Sequence, residues 1–527
     1  MTVNVNDSLH NTNAIVTVDR GVDVVVVDEE TPLLYGSSSS STSPSSSPTR
    51  KNQRATPLPK LQIAIVLLLQ ICEPVCSQSI YPYVNELVST LDVVKGDEKK
   101  VGYYAGLIES LFFATEAMTV LQWSRVSDRV GRKPVLLLGL VGTILSMLSF
   151  GLSRTFSALI VSRCLCGLLN GNIGVMKSAM GELTDPTNRA QAFALMPVVW
   201  AAGASFGPLL GGSLSRPADR FPEFFGAHFW KEYPYFLPCL ATAAFTAIVF
   251  VITIIWFKES NPKKTYRRKR ATSGSSEATL IDGSYNDSVD GTSGEADGNP
   301  LPLRSILTFP VVISVLNYVT LAFLNISVNA LMPLFFHMPI AMGGLDLDPV
   351  VIGYIMSVYG AGSGLFQILF FVPLVEKFGV RKTFVMSVST FAPVFMMFPL
   401  MSLMAKYWGV GIGVWVLLGV VLSLLFFMDT AYGCIFMYVT ASAPNKRSLG
   451  ATNGLSQTTV SAARAIGPAL STSLYSFSIQ YNILGGYAVY AVLAGLSVGA
   501  LLLADQLPHR LWGEDSQDDS EGDENKR

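Results

Sequence analysis

The chain has 527 residues, 50% of them hydrophobic and 14% charged, with a mean hydropathy of +0.42 and a formal net charge of -1. So small a charged share excludes a soluble protein of this length, and the balanced charge removes the basic surface that a nucleic-acid partner requires. Apolar stretches of about twenty residues recur along most of the chain, the pattern of a protein that crosses a membrane many times.

Residues 1–57 form a polar tail in which Ser37 to Pro48 is all serine, threonine and proline. Such a composition buries too little surface to offset chain entropy, so a disordered cytoplasmic tail is expected, without a cleaved leader. Within it, Glu29-Glu30-Thr31-Pro32-Leu33-Leu34 resembles an acidic dileucine sorting signal. The resemblance implies that Glu29, Leu33 and Leu34 are read by an adaptor complex that delivers proteins to vacuoles or lysosomes. The first apolar span lies near 61–82. There Cys72 and Cys76 sit one helical turn apart around Glu73, with no histidine nearby. All six cysteines (Cys72, Cys76, Cys164, Cys166, Cys239 and Cys434) fall in or beside apolar spans, so they read as small buried residues and neither a metal site nor a disulfide framework is expected.

Spans 101–123 and 134–153 are each long enough, at 1.5 Å per residue, to cross a hydrocarbon core of about 30 Å. They bracket a charged turn from Ser124 to Pro134. Arg125, Arg129, Arg132 and Lys133 cluster beside both spans, which places the turn in the cytosol. The turn resembles the Gly-x-x-x-Asp-Arg-x-Gly-Arg-Lys loop of the major facilitator superfamily, matched here by Asp128, Arg129, Gly131, Arg132 and Lys133, with Ser124 at the leading glycine. That resemblance implies an all-α membrane protein of twelve transmembrane helices in two parallel-repeat six-helix bundles. It also implies that these five residues act as a conformational latch.

Span four, 157–180, carries Arg163, Gly167 and Gly171, similar to the family's Arg-x-x-x-Gly-x-x-x-Gly; glycines four apart also let helices pack closely. Span five, 190–213, fits Gly-x-x-x-Gly-Pro-x-x-Gly-Gly through Gly203, Gly207, Pro208, Gly211 and Gly212. The residues themselves predict a kinked helix. The resemblance implies the hinge that marks the family's antiporters. After span six, 233–257, a basic and then Ser/Gly/Asp-rich stretch, 258–304, reads as a cytoplasmic linker between bundles at 58–257 and 305–505. The second half is expected to cross near 305–335, 350–374, 383–405, 410–438, 450–476 and 482–505, before an acidic cytoplasmic tail, 506–527. It repeats the first: Glu376 to Lys382 stands where the charged turn does, and Gly467-Pro468 echoes Gly207-Pro208. Lysines and arginines alternate between loops in a way that puts both termini in the cytosol.

Charged groups within hydrocarbon cost several kcal/mol and mark function. Glu73, Glu109, Glu116, Arg163, Asp429 and Arg464 are the proton-coupling candidates. Depth along the spans places Glu73, Glu109 and Arg163 in one layer away from the cytosol, with Glu73 or Glu109 carrying the proton, Arg163 tuning it, and Asp429 and Arg464 as partners in the other half. Lys177 and Glu182 lie towards the cytosolic end of span four. Asn170, Asn172, Asn317, Asn325, Gln367 and Tyr432 are polar enough to line a cavity. Only His10, His228, His337 and His509 are present, and no nucleophile, base and ligand set suggests an enzyme.

Cys72-Glu73-Pro74 and the stretch from Tyr103 to Ser110 look like the drug and tetracycline-resistance type of the superfamily, including plant zinc-induced-facilitator-like proteins and fungal relatives. The expectation is a proton-coupled antiporter that moves a small organic solute, drug-like or a secondary metabolite, across the cell or vacuole membrane. Its partners would be the solute, protons, membrane lipid and a sorting adaptor, with no cofactor. A uniporter of the same fold is an alternative. A non-transporting sensor is another, although a sensor has no need to keep the membrane-embedded acids.

Overall fold

The computed structural model describes residues 57–184, 188–260, 307–444 and 449–508. The sorting signal at Glu29, Leu33 and Leu34, most of the central linker and the acidic tail lie outside the described residues. All regular structure among the described residues is helical.

Nine of these helices are long and apolar enough to cross a bilayer: α1 (Lys60–Ser89), α3 (Arg132–Gly151), α4 (Phe156–Leu183), α5 (Arg189–Leu214), α6 (Phe236–Trp256), α7 (Phe309–His337), α8 (Pro349–Phe378), α9 (Val380–Trp408) and α10 (Ile412–Ala441). A tenth, α2 (Val101–Val130), is bent. The helix α11 (Leu449–Gln480) has ample length but is rich in Ser, Thr and Gly, and α12 (Ala488–Ala504) is short and apolar. The arrangement is the expected twelve-helix, two-bundle fold.

Several limits differ from the sequence reading for identifiable reasons. The first span runs on to Ser89 because Tyr81–Ser89 folds as a second segment beyond the Pro74 kink. The last starts at Ala488 because Asn482 and Leu484 adopt left-handed backbone, φ 51° and 52°, and form a turn. The α2–α3 and α8–α9 junctions are alike: Gly131 (φ 109°) and Gly379 (φ 80°) each end one helix and start the next.

Lipid tails are as apolar as leucine, so helices in a membrane associate through close approach and hydrogen bonds. The junction between halves shows both. On α2, Gly102 and Gly106 face Ser476, Thr472 and Pro468 of α11, and Ser110 Oγ accepts a hydrogen bond from the Ala469 amide at 2.8 Å. On α5, Gly212 lies against Gly353 of α8, Ala204 against Gly360, and the Ser205 hydroxyl donates to the Ser357 carbonyl at 3.0 Å. These contacts occupy the parts of the four helices farther from the Asp128 turn. Beyond them, Arg216 pairs with Glu86 of α1 at 2.8 Å and with Asp348, which immediately precedes α8, at 2.5 Å. The halves are therefore joined on the face opposite the charged turn.

Candidate functional site

The polar centre is built where α4 breaks. The chain leaves the helix at Asn170 (φ -82°, ψ 70°) and resumes at Asn172. Trp123 lies against Gly171, where no Cβ would fit, and its indole N–H donates to the Leu168 carbonyl at 2.7 Å, satisfying a carbonyl that the break frees. The break turns the Asn170 amide onto Glu116 Oε1 at 3.1 Å, with both residues buried. Glu73 of α1 neighbours Asn170, Glu116, Lys177 and Arg464. One of its carboxylate oxygens is buried without a hydrogen-bond partner among the described residues. Arg464, from α11, places a cation of the second half within electrostatic reach of Glu73, Glu116, Tyr318 and Tyr432.

A second cluster lies nearer the opposite face. The Tyr81 hydroxyl donates to Glu109, and Arg163 lines the same small cavity, its guanidinium 5.5 Å and 5.3 Å from the Phe112 and Phe150 ring centres. The expected layer is therefore divided. Glu109 and Arg163 are together, while Glu73 meets Glu116, two helical turns along the same face of α2. The depth count took the first span to end at 82, whereas α1 runs on to Ser89, so Glu73 lies nearer the middle of its helix than the count implies.

The third cluster is at the interruption of α10. Asp429 accepts from the Tyr359 hydroxyl at 3.1 Å and from Ser363, both on α8, and Gln367 donates to its main-chain carbonyl at 3.4 Å. Asp429 and Arg464, expected as partners, are not paired; hydroxyls surround the one and acids of the first half attend the other. Asn325 accepts from Asn329 at 3.2 Å. Asn317 is not a cavity residue: its amide donates to the carbonyls of Ile313 at 2.9 Å and Leu503 at 3.3 Å, tying α7 to α12. Asn172 packs under Gly139 of α3.

The charged turn is engaged within its own half. Arg132 pairs with Asp128 at 2.7 Å and Glu182 at 2.9 Å, and Glu259 accepts from the amides of Arg132 at 2.7 Å and Lys133 at 3.2 Å. Lys133 Nζ caps the end of α6 through the carbonyls of Ile254 at 2.8 Å and Phe257 at 2.7 Å. Arg129 is exposed. In the second half, Arg381 takes the place of Lys133 and binds Asp505 at the end of α12 at 2.6 Å. In α5, Gly203, Gly207 and Gly211 face Pro74, Val75 and Ser79 of α1, and Gly212 faces α8; Pro208 lies within the helix. Sequence reasoning did not single out Tyr81, Tyr359, Ser363, Glu259 or the Arg216 pair. Hydroxyls and loop charges gain significance only from what lies opposite them.

The Major Facilitator Superfamily family model matches residues 102–348 and 319–521. The chain belongs to the major facilitator superfamily. This facilitator is 30% identical over 502 residues to the major facilitator-type transporter psiT2 of Psilocybe cyanescens, covering 90% of this chain and 95% of that one. It is 28% identical over 515 residues to the major facilitator superfamily multidrug transporter mfsB of Aspergillus fumigatus, covering 86% and 85%. Zinc-induced facilitator 1 of Arabidopsis thaliana and a class H tetracycline resistance protein of Pasteurella multocida also match, as the drug-antiporter type requires. Among solved structures, the D-xylose-proton symporter superposes with a TM-score of 0.62 at 13% identity, covering 85% of this chain and 98% of that one, a likeness of fold. The facilitator is a multi-pass integral membrane transporter.

Proposed function

We propose that this facilitator exports a small organic solute by proton-coupled antiport. Basic residues clustered in the Asp128 turn support a cytosolic placement of that face. The contacts that join the halves on the other face then correspond to a state open to the cytosol. One observation carries the reading: Glu73 and Glu116, the latter accepting from Asn170 at 3.1 Å, lie within electrostatic reach of Arg464 from the other half. A nearby guanidinium favours the charged form of a carboxylate. When the halves rock and withdraw it, burial in an apolar surrounding favours the protonated form. Proton binding is thereby tied to the change of access. The relatedness to a multidrug transporter supports solute efflux.

Reconstituted protein under an imposed proton gradient tests this with Glu73→Gln and Glu116→Gln. At least one is expected to lower gradient-driven solute uptake roughly tenfold while solute–solute exchange persists. Unchanged coupling in both would overturn the proposal. The latch, hinge and sorting roles implied by resemblance are part of the same proposal. A fluorescent fusion carrying Leu33→Ala and Leu34→Ala is expected to leave the vacuole membrane for the cell surface.

A further inference from the structure

Residues 215–235 join α5 to α6 on the face away from the charged turn and fold into three short helical turns, Pro217–Arg220, Pro222–Phe225 and His228–Glu232. The ends of this loop are pinned together by the hydrogen bond from the Arg216 amide to the Pro234 carbonyl, 2.9 Å long. Its return arm is fixed to the turn between α3 and α4, where Arg154 pairs with Glu232 and lies 4.6 Å from the centre of the Tyr233 ring. The loop is therefore held in one shape from its base.

Inside it, aromatic rings interlock. Phe225 meets Trp230 edge to face at 4.9 Å, and Phe229 meets Trp230 at 5.2 Å and Phe236 at 5.4 Å. Other rings are left bare: Phe224 is 82% exposed and Phe221 47%. An ordered loop that turns phenylalanine outward presents an apolar patch, and such a patch marks a surface that meets something apolar.

The position of the cluster identifies that neighbour. Phe236 opens α6, and the row it begins continues one turn at a time through Leu240, Ala244 and Ile248, all three exposed. Because α6 packs against α1, α3 and α5 of its own half, this exposed row faces the hydrocarbon of the bilayer. The loop's rings stand at the end of that row, at the membrane edge. A lid over the central opening would instead turn them towards the second half. Asp219, Arg220, Glu223, His228 and Lys231 are exposed in the same loop, so it is amphipathic and too polar to enter the core. Across the molecule, Tyr407 and Trp408, at the end of α9 on the same face, are exposed as well, and aromatic rings favour the headgroup level of a bilayer.

We propose that the α5–α6 loop is an interfacial foot: Phe221 and Phe224 insert into the headgroup boundary of the leaflet opposite the charged turn, and phospholipid is the partner that covers them. The lipid-contact surface of α6 then continues onto its loop without a gap.

The test is the depth of a nitroxide label attached at Phe224→Cys and, separately, at Phe221→Cys. Both are made in the full-length protein with Cys164→Ser, the other five cysteines being buried. In nanodiscs of palmitoyl-oleoyl phosphatidylcholine, the label's collisions with oxygen, which concentrates in the bilayer, are compared with those of nickel ethylenediaminediacetate, which stays in water. Asp92→Cys, exposed in the α1–α2 loop, is the aqueous reference, and Ile248→Cys sets the hydrocarbon end of the scale. The oxygen-to-nickel ratio at one or both ring positions is expected to exceed that at Asp92 at least about threefold. A smaller excess at both positions overturns the proposal, because the rings then stand in water. Protection from both reagents at both positions also overturns it, because protein then covers the rings, and dipolar broadening between labels would identify that protein as a second copy. Should one cysteine variant fail to fold, the other decides by the same criteria.

Discussion

Gly211 shows how a residue recognisable in the sequence acquires its reason only in the fold. Its place in the Gly-rich pattern of α5 is plain, and close packing follows from the spacing. That the partner is the Ser79 carbonyl of α1, where a Cβ would overlap it, is a tertiary fact. Gly211→Ala is therefore expected to destabilise the protein by about 1–3 kcal/mol, seen as a lower melting temperature in detergent. Gly495 of α12 has open space around it, so Gly495→Ala is the matched control, expected to leave melting unchanged or to raise it. The membrane acids follow the same logic. Glu73, Glu109, Glu116 and Asp429 are conspicuous as charges within apolar runs, whereas their partners, Asn170, Tyr81 and Tyr359, are ordinary residues until the helices meet.

At the scale of elements, the α2–α3 and α8–α9 junctions repeat one device. A glycine in left-handed backbone ends the helix, and a cation two residues later binds the terminal carbonyls of the sixth helix in that half: Lys133 on α6 and Arg381 on α12. The acceptors are the last carbonyls of a helix, which lack partners within it and carry partial negative charge. Lys133→Met removes that cap. The substitution is expected to cost about 1–3 kcal/mol and to speed amide hydrogen exchange in the last turn of α6, with α12 unaffected. Arg381→Met is expected to do the converse. The sequence displays both charged turns, but not that their targets are helix ends, since a main-chain carbonyl has no sequence signature.

The whole molecule is joined on the face away from the charged turn by Arg216, which reaches Glu86 in its own half and Asp348 in the other. Arg216 adopts left-handed backbone, φ 48° and ψ 59°, unusual for a residue with a side chain, and its amide is held by the Pro234 carbonyl at 2.9 Å. The side chains are partly exposed, so the pair to Asp348 contributes about 1 kcal/mol at most. That is still enough to shift a two-state balance roughly fivefold. Asp348→Asn is expected to raise the population open on this face, read as a longer spin-label distance between α5 and α8 and as greater thiol accessibility of Ser357→Cys. An unchanged distance distribution would show that the glycine and serine contacts of α5 and α8 suffice to hold the halves together.

Local chemistry determined the number and limits of most spans, the charged turn, the glycine pattern and the acids within the membrane, because each follows from a charge, a glycine or an apolar run read along the chain. The tertiary structure decided which acid meets which partner. Helix breaks and the true length of a span place side chains where a count along the sequence does not, which is how Asn170 comes to Glu116 and how Asp429 comes to the hydroxyls of α8. It also decided which face is joined, because the energies that hold the two halves come from approaches between helices far apart in the chain, and composition carries no record of those.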